Sequence, residues 1–285
     1  MSKLIPIFII AFIVSQNACD RSQPVITWKK TLDYRTTEIF PISVGKFGYP
    51  YVKVTLNTTE VDLVWDTGNM SGLTLSSELA ERMNLPAHGE SQSYDSAGNV
   101  VGVYRTFRIN KVKVWDTIWQ DMLAHEFSHK DLHGLVGPQF VLDKRFTIDY
   151  KNKVMAVSSS RLSQADSVGT AFTMVRSQKH SGLILVYGFM NDRKVLIEID
   201  TGKSRTVVDE DLARLLKLPK TSNGYYIDEI RLGPHSFEAL SAKAKSFKGI
   251  SQGLPEPIRL GIGSDILSNM IVTVDYPRGV MTLMK

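Results

Sequence analysis

Along most of the chain the apolar positions come in short runs that alternate with polar ones, the period-two signature of strands with one buried face. Tyr51 to Leu56 alternates in this way, turns at Asn57-Thr-Thr-Glu60 and continues into the apolar run from Val61 to Trp65. Leu183 to Phe189 does the same before a turn around Asn191-Asp192 and the run from Val195 to Ile199. Both stretches predict a hairpin whose second strand runs directly into Asp-Thr-Gly, at Asp66 and at Asp200. Helical patterns are few and short. Ser76 to Pro86 and Asp209 to Pro219 each predict a brief helix with a Ser or Asp cap at its start and a proline beyond its end.

These segments are copies of one another. Val61-Asp-Leu-Val-Trp-Asp66-Thr-Gly corresponds to Val195-Leu-Ile-Glu-Ile-Asp200-Thr-Gly, and the two helical stretches follow in the same order. Gly134-Leu-Val-Gly137, with Phe140 and Val141 after it, corresponds to Leu260-Gly-Ile-Gly263, with Ile266 and Leu267 after it. Thr147-Ile-Asp-Tyr150 then corresponds to Thr273-Val-Asp-Tyr276. Element order is kept while loop lengths drift, as expected of an internal duplication. The expected organisation is a leader at 1–19, a tether at 20–37, one β-rich half at 38–157, a polar join at 158–168 and a second half at 169–285. The fold class this predicts is all-β with a few short helices.

Composition narrows the class of partner. The chain has 285 residues and a formal net charge of +5, but its basic residues are interleaved with acids and form no block. That pattern describes a mildly cationic surface and gives no reason to expect a nucleic-acid partner. At the N-terminus, Lys3 precedes an apolar run from Leu4 to Val14 and then Ala18-Cys19, the layout of an export signal. The run is about half the ~20 residues a membrane-spanning helix needs. Cys19 is the only cysteine, which excludes an internal disulfide and a cysteine-based zinc site. Its position resembles the lipobox cysteine of bacterial lipoproteins, acylated after cleavage; a secreted protein with a discarded signal is the alternative. Either way the expected location is outside the cytoplasm: periplasm or cell envelope, with a lipid anchor in the first case.

A hydrophobic strand ending in Asp-Thr-Gly, a short helix, and a hydrophobic-hydrophobic-Gly segment further on together resemble the aspartic proteases. Each half is similar to a retropepsin subunit, particularly the retropepsin-like domains of bacterial genomes, and the two together resemble a compact pepsin-type pseudo-dimer. The likeness spans nearly all of the chain beyond the tether. It implies an acid-protease fold of two pseudo-symmetric β lobes with a cleft between them, and an endopeptidase acting on peptides or unfolded proteins. It also implies Asp66 and Asp200 as the catalytic pair. Two carboxyls within hydrogen-bonding distance cannot both ionise cheaply, so the pair keeps one proton. The ionised partner takes a proton from water and the protonated one bonds the scissile carbonyl oxygen. Neither cofactor nor metal is needed. By the same resemblance, Thr67 and Thr201 bond across to the opposite loop, and Gly68 and Gly202 let the loops approach. Leu135-Val136-Gly137 and Ile262-Gly263 pack behind. The β-prone arms around Gly98, with Tyr94 as a donor, are the expected flap; the matching region at Ser222 to Ile227 is shorter. A short join between halves favours pairing within one chain, hence a monomer.

Two positions depart from the pattern. After the glycine, where a small residue is usual, stand Asn69 and Lys203. An inward ammonium at Lys203 would favour ionisation of both carboxylates and confine activity to acid pH or abolish it; a solvated stem would leave the pair alone. This departure is what admits a second reading, a catalytically silent protein that holds a peptide or envelope ligand in the same cleft. Gly261 also replaces a usual hydrophobic. Finally, His125-Glu-Phe-Ser-His129 fits H-E-x-x-H, a zinc-protease signature that requires a helix. Gly134 follows too closely for one, and a His-rich loop is the expectation.

Overall fold

A computed structural model of the chain describes residues 38–129, 131–159 and 169–285. The expected leader, Cys19 and tether lie outside the described residues, as does most of the expected join between the halves.

The first hairpin forms from Pro50–Leu56 and Thr59–Trp65, with Leu56 opposite Thr59 across the two-residue turn Asn57-Thr58. Asn57 sits at φ 54°, the left-handed region that asparagine tolerates better than most residues. Its counterpart in the second half joins Leu185–Met190 to Arg193–Ile199 through Asn191 and Asp192, at φ 46° and 62°. Two successive positive φ values define the turn whose twist matches that of the flanking strands. In the first hairpin the alternation puts Val52, Val54 and Leu56 inward, whereas in the second the run from Val195 to Ile199 is buried on both faces.

Each half closes its hairpin into a barrel-like sheet. In the first, eight strands pair side by side, and Pro50–Leu56 also pairs with Val100–Val114, which brings the sheet round on itself. In the second, seven strands do the same, with Leu185–Met190 pairing back onto Gly224–Leu232. Both helices lie where their caps predict. α1 (Ser77–Arg82) starts at Ser76, whose Oγ accepts the Leu79 N–H, and α2 (Glu210–Leu215) starts at Asp209, whose carboxylate accepts the Leu212 N–H. Left-handed Asn84 and Lys217 then turn the chain before the prolines are reached.

A third sheet belongs to both halves. Its six strands run Glu38–Pro41, Val154–Ser158, Arg145–Asp149 from the first half, then Ile271–Asp275, Val280–Met284 and Thr170–Thr173 from the second. At its centre Thr147 faces Thr273, their hydroxyls 2.7 Å apart and fully buried. Identical residues from the two halves therefore meet at the centre of the shared sheet. The aromatic core reaches this sheet through Trp65, which packs edge-on against Phe146 (5.5 Å) and Trp115 (5.3 Å). A ring that size removes about 150–250 Å² from water, or at most about 4–6 kcal/mol at ~25 cal/mol/Å². The residue before Asp66 is thus one of the best-anchored in the protein.

The architecture is all-β with three short α-helices among the described residues, arranged as two barrel-like lobes. It is the two-lobed acid-protease architecture implied by the sequence.

Candidate active site

The two Asp-Thr-Gly loops meet where the lobes join. Thr59–Trp65 and Arg193–Ile199 each deliver a loop, and each lies parallel to a strand behind it, Gly134–Val136 and Ile258–Ile262 respectively. The Asp66 N–H donates to the Val136 carbonyl (2.9 Å) and the Asp200 N–H to that of Ile262 (3.0 Å), so both loops start from the same place on equivalent strands. Within each loop the glycine N–H returns to its own aspartate, Gly68 to Asp66 Oδ1 and Gly202 to Asp200 Oδ1, both at 2.8 Å.

The threonines cross over. Thr67 Oγ1 donates to the Ile199 carbonyl (3.1 Å) and accepts the Thr201 N–H (3.0 Å). Thr201 Oγ1 donates to the Trp65 carbonyl (2.6 Å) and accepts the Thr67 N–H (3.1 Å). Both hydroxyls are buried, with donor and acceptor capacity used. Each such bond contributes about 0.5–1.5 kcal/mol net, but orphaning a buried group costs about 1–3. This lattice therefore holds the loops in register more firmly than its net energy suggests.

The carboxyls of Asp66 and Asp200 come within hydrogen-bonding reach of each other, and their titrations separate in opposite directions. Burial, then the charge of Asp200 beside it, pushes Asp66 well above the ordinary carboxylate range. Burial also acts upward on Asp200, but Lys203, by its charge and its hydrogen bond, more than offsets this and leaves Asp200 below the ordinary range. Two carboxyls so placed cannot both ionise cheaply.

Residues 52–140 match the aspartyl protease family model. That stretch carries Asp66, Thr67, Gly68 and Gly134-Leu-Val-Gly137, and the match supports an aspartic-protease assignment for it. A search of curated proteins returned no match.

Lys203 points inward, which decides between the two alternatives left open by the sequence. Its Nζ bonds Asp200 Oδ2 and also Glu198 Oε2, the latter at 2.7 Å, with only 16 % of the side chain exposed. Glu198 is a buried carboxylate that sequence reasoning passed over, although the signal was present: it is the one charged residue in the apolar run leading to Asp200, at the place Val64 holds in the first half. Asn69, the other departure, turns away from the aspartates. Its side chain donates to the Gly72 carbonyl (3.3 Å) and accepts the Ser71 N–H (3.2 Å), closing its own loop.

The expected flap is a long hairpin of Ala87–Tyr94 and Val100–Val114. Its tip, with Gly98 at φ 89°, docks on the opposite lobe. The Gly249 and Ile250 N–H groups both donate to the Ser96 carbonyl (2.9 and 3.2 Å), and Ser96 Oγ donates to the Ser246 carbonyl (2.7 Å). The hairpin thus bridges the lobes. Tyr94 does not take part: it is exposed and donates to Gln92 on its own strand (2.6 Å). The equivalent hairpin of the second half, Lys220–Thr221 with Gly224–Leu232, turns at Ser222-Asn223 and begins with a two-residue strand.

The H-E-x-x-H segment is not helical. His125 and Glu126 lie in Thr117–Phe127, a strand, where adjacent side chains point to opposite faces. His125 Nδ1 pairs with Ser91 Oγ (2.8 Å), and Glu126 is bound by Arg105 (2.6 Å), whose hydrogen bonds hold its carboxyl down to about 2. Among the described residues no cluster of three or more His, Cys, Asp or Glu is placed to hold a metal.

Proposed function

We propose that the protein is an aspartic endopeptidase in which Asp66 and Asp200 act together on a water held between them. The observation that carries the reading is the pair of cross-bonded Asp-Thr-Gly loops, with a half-buried Asp66 carboxyl and a buried Asp200 carboxyl in mutual reach and unequal in proton affinity. The match of residues 52–140 supports a peptidase of this family.

In the proposed step, Asp200 removes a proton from the water as its oxygen attacks the carbonyl carbon, and Asp66 gives its proton to the carbonyl oxygen. The tetrahedral diol then collapses: a proton passes to the amide nitrogen, the C–N bond breaks, and acid and amine leave with one proton again shared by the pair. No covalent intermediate and no metal enter the scheme. The hairpin 87–114 acts as the flap over a peptide or unfolded-protein substrate, and both halves of one chain complete the site, so a monomer suffices.

Peptide hydrolysis measured across pH tests this. The expected profile is bell-shaped, blocked by a statine-type inhibitor and indifferent to a chelator. Saturable peptide binding with no turnover at any pH would reject the reading and favour a silent binding protein. We further propose, from the leader pattern alone, that the protein works outside the cytoplasm with a lipid on Cys19. Labelled fatty acid is then expected in the parent and absent from Cys19→Ala; equal labelling of both would reject it.

A further inference from the structure

Three positions around Asp200 differ together from their first-half counterparts. Val64, paired in register with Leu135 behind the first loop, becomes Glu198 paired with Gly261 behind the second. Asn69, just after the first Asp-Thr-Gly, becomes Lys203. These changes are one device in space. Lys203 Nζ lies between Glu198 Oε2 and Asp200 Oδ2, and a Cβ on Gly261 would come to 2.8 Å from Val207 Cγ2 and to 3.3 Å from both Glu198 Oε2 and Lys203 Cε. The leucine that fills the first site would meet the ion pair in the second. An apolar Val–Leu contact has been exchanged for a buried ion pair and the room to hold it.

We propose that Glu198, Lys203 and Gly261 form a positioning set that makes the two aspartates unequal: Lys203 keeps Asp200 as the ionised partner, and Glu198 offsets the lysine so that Asp66 retains its proton. Charge counting shows why both members are required. A working pair carries one negative charge. Adding Lys203 alone would bring the site to neutrality and draw the proton off Asp66. Adding Glu198 with it restores the single net negative charge. Breaking a buried pair by removing one partner leaves an uncompensated charge, so each is poorly tolerated without the other. The groups facing the site from neighbouring elements are few: Asp66 across the junction, the ammonium of Lys245, which acts on Glu198, and the Tyr150 phenol, kept neutral by burial. None of them replaces Lys203 at Asp200. Glu198 and Lys203 touch no part of the water or substrate in the proposed scheme; they act through Asp200.

The inference rests on the proposed pairing of the aspartates, and its test separates the two. Carbon-13 titration of the Asp66 and Asp200 carboxyls in the full chain reads the device without requiring turnover, and the pH–rate profile reads it in action. In Lys203→Met the Asp200 titration and the acid limb move up by about 1–3 pH units. In Glu198→Gln, with the lysine uncompensated, the Asp66 titration and the alkaline limb move down. In the double variant the alkaline limb returns toward the parent, because the two charges removed are opposite and their effects on Asp66 cancel. Lys203→Arg keeps the acid limb in place. Should Lys203→Met fail to fold, the triple change Glu198→Val, Lys203→Asn, Gly261→Leu rebuilds the first-half pattern and brings the two titrations together. An Asp200 titration unmoved by either the single or the triple change overturns the inference, as does an alkaline limb that stays displaced in the double variant. Hydrolysis that survives loss of both aspartates would instead overturn the proposed reaction while leaving these titrations intact.

Discussion

Replacing Asp200 by Asn is expected to lower kcat for peptide hydrolysis by about 10²–10⁴-fold, the range for loss of a positioned acid or base. Asparagine keeps the shape and can still accept the Gly202 N–H, and Lys203 keeps its second partner in Glu198, so the fold should survive. The loss should therefore fall on kcat with KM nearly unchanged, the mark of an interaction made in the transition state. Asp66→Asn should be as severe, because each carboxyl has a distinct duty and neither can do both. The double variant should be little worse than either single one, since groups that act as a unit are strongly non-additive. Steady-state kinetics with a melting curve for each variant would check this. Activity within tenfold of the parent in both single variants would end the proposed mechanism.

Gly202→Ala should be nearly as damaging, although it adds one methyl group and removes nothing. A Cβ at Gly202 would overlap the Asp66 carboxyl from the opposite lobe, and one at Gly68 would overlap that of Asp200. Neither loop can retreat, because the crossed threonine bonds and the strands behind hold both. Overpacking of a rigid site costs about 1–3 kcal/mol, and displacing a reacting group by about 1 Å costs on the order of 10²-fold in rate. Gly89→Ala is the control. There the nearest atom to a new Cβ is Thr106 Oγ1 at 3.6 Å, ordinary contact, on the exposed flap strand. Its melting temperature and kcat should stay close to the parent's. Equal behaviour of the two alanine variants would show that the loops have slack the packing does not reveal.

Glu126 shows how local pattern and tertiary context can part. The five-residue zinc signature is intact in sequence, yet its glutamate serves as the partner of Arg105 across two strands. A motif of that length carries chemistry only on a helix, where the histidines share a face; on a strand they are split.

The sequence by itself determined the β class, both hairpins and the two capped helices. All of these are set by neighbours in the chain: alternation, turn residues with tolerance for positive φ, and side chains that cap their own helix. The approach of the two loops was implied only by the family resemblance, since no residue near either loop specifies the other as its partner. What only the tertiary structure decided was where long side chains and loop tips end up. Lysine has a stem that can carry its charge to solvent or to a buried partner, and the choice fell to Glu198, five residues before it, and to the space left by Gly261 on the strand behind, distant in sequence. The docking of the hairpin tip on residues 246–250 was equally beyond reach, since it depends on the separation of two lobes and on no local preference of either segment.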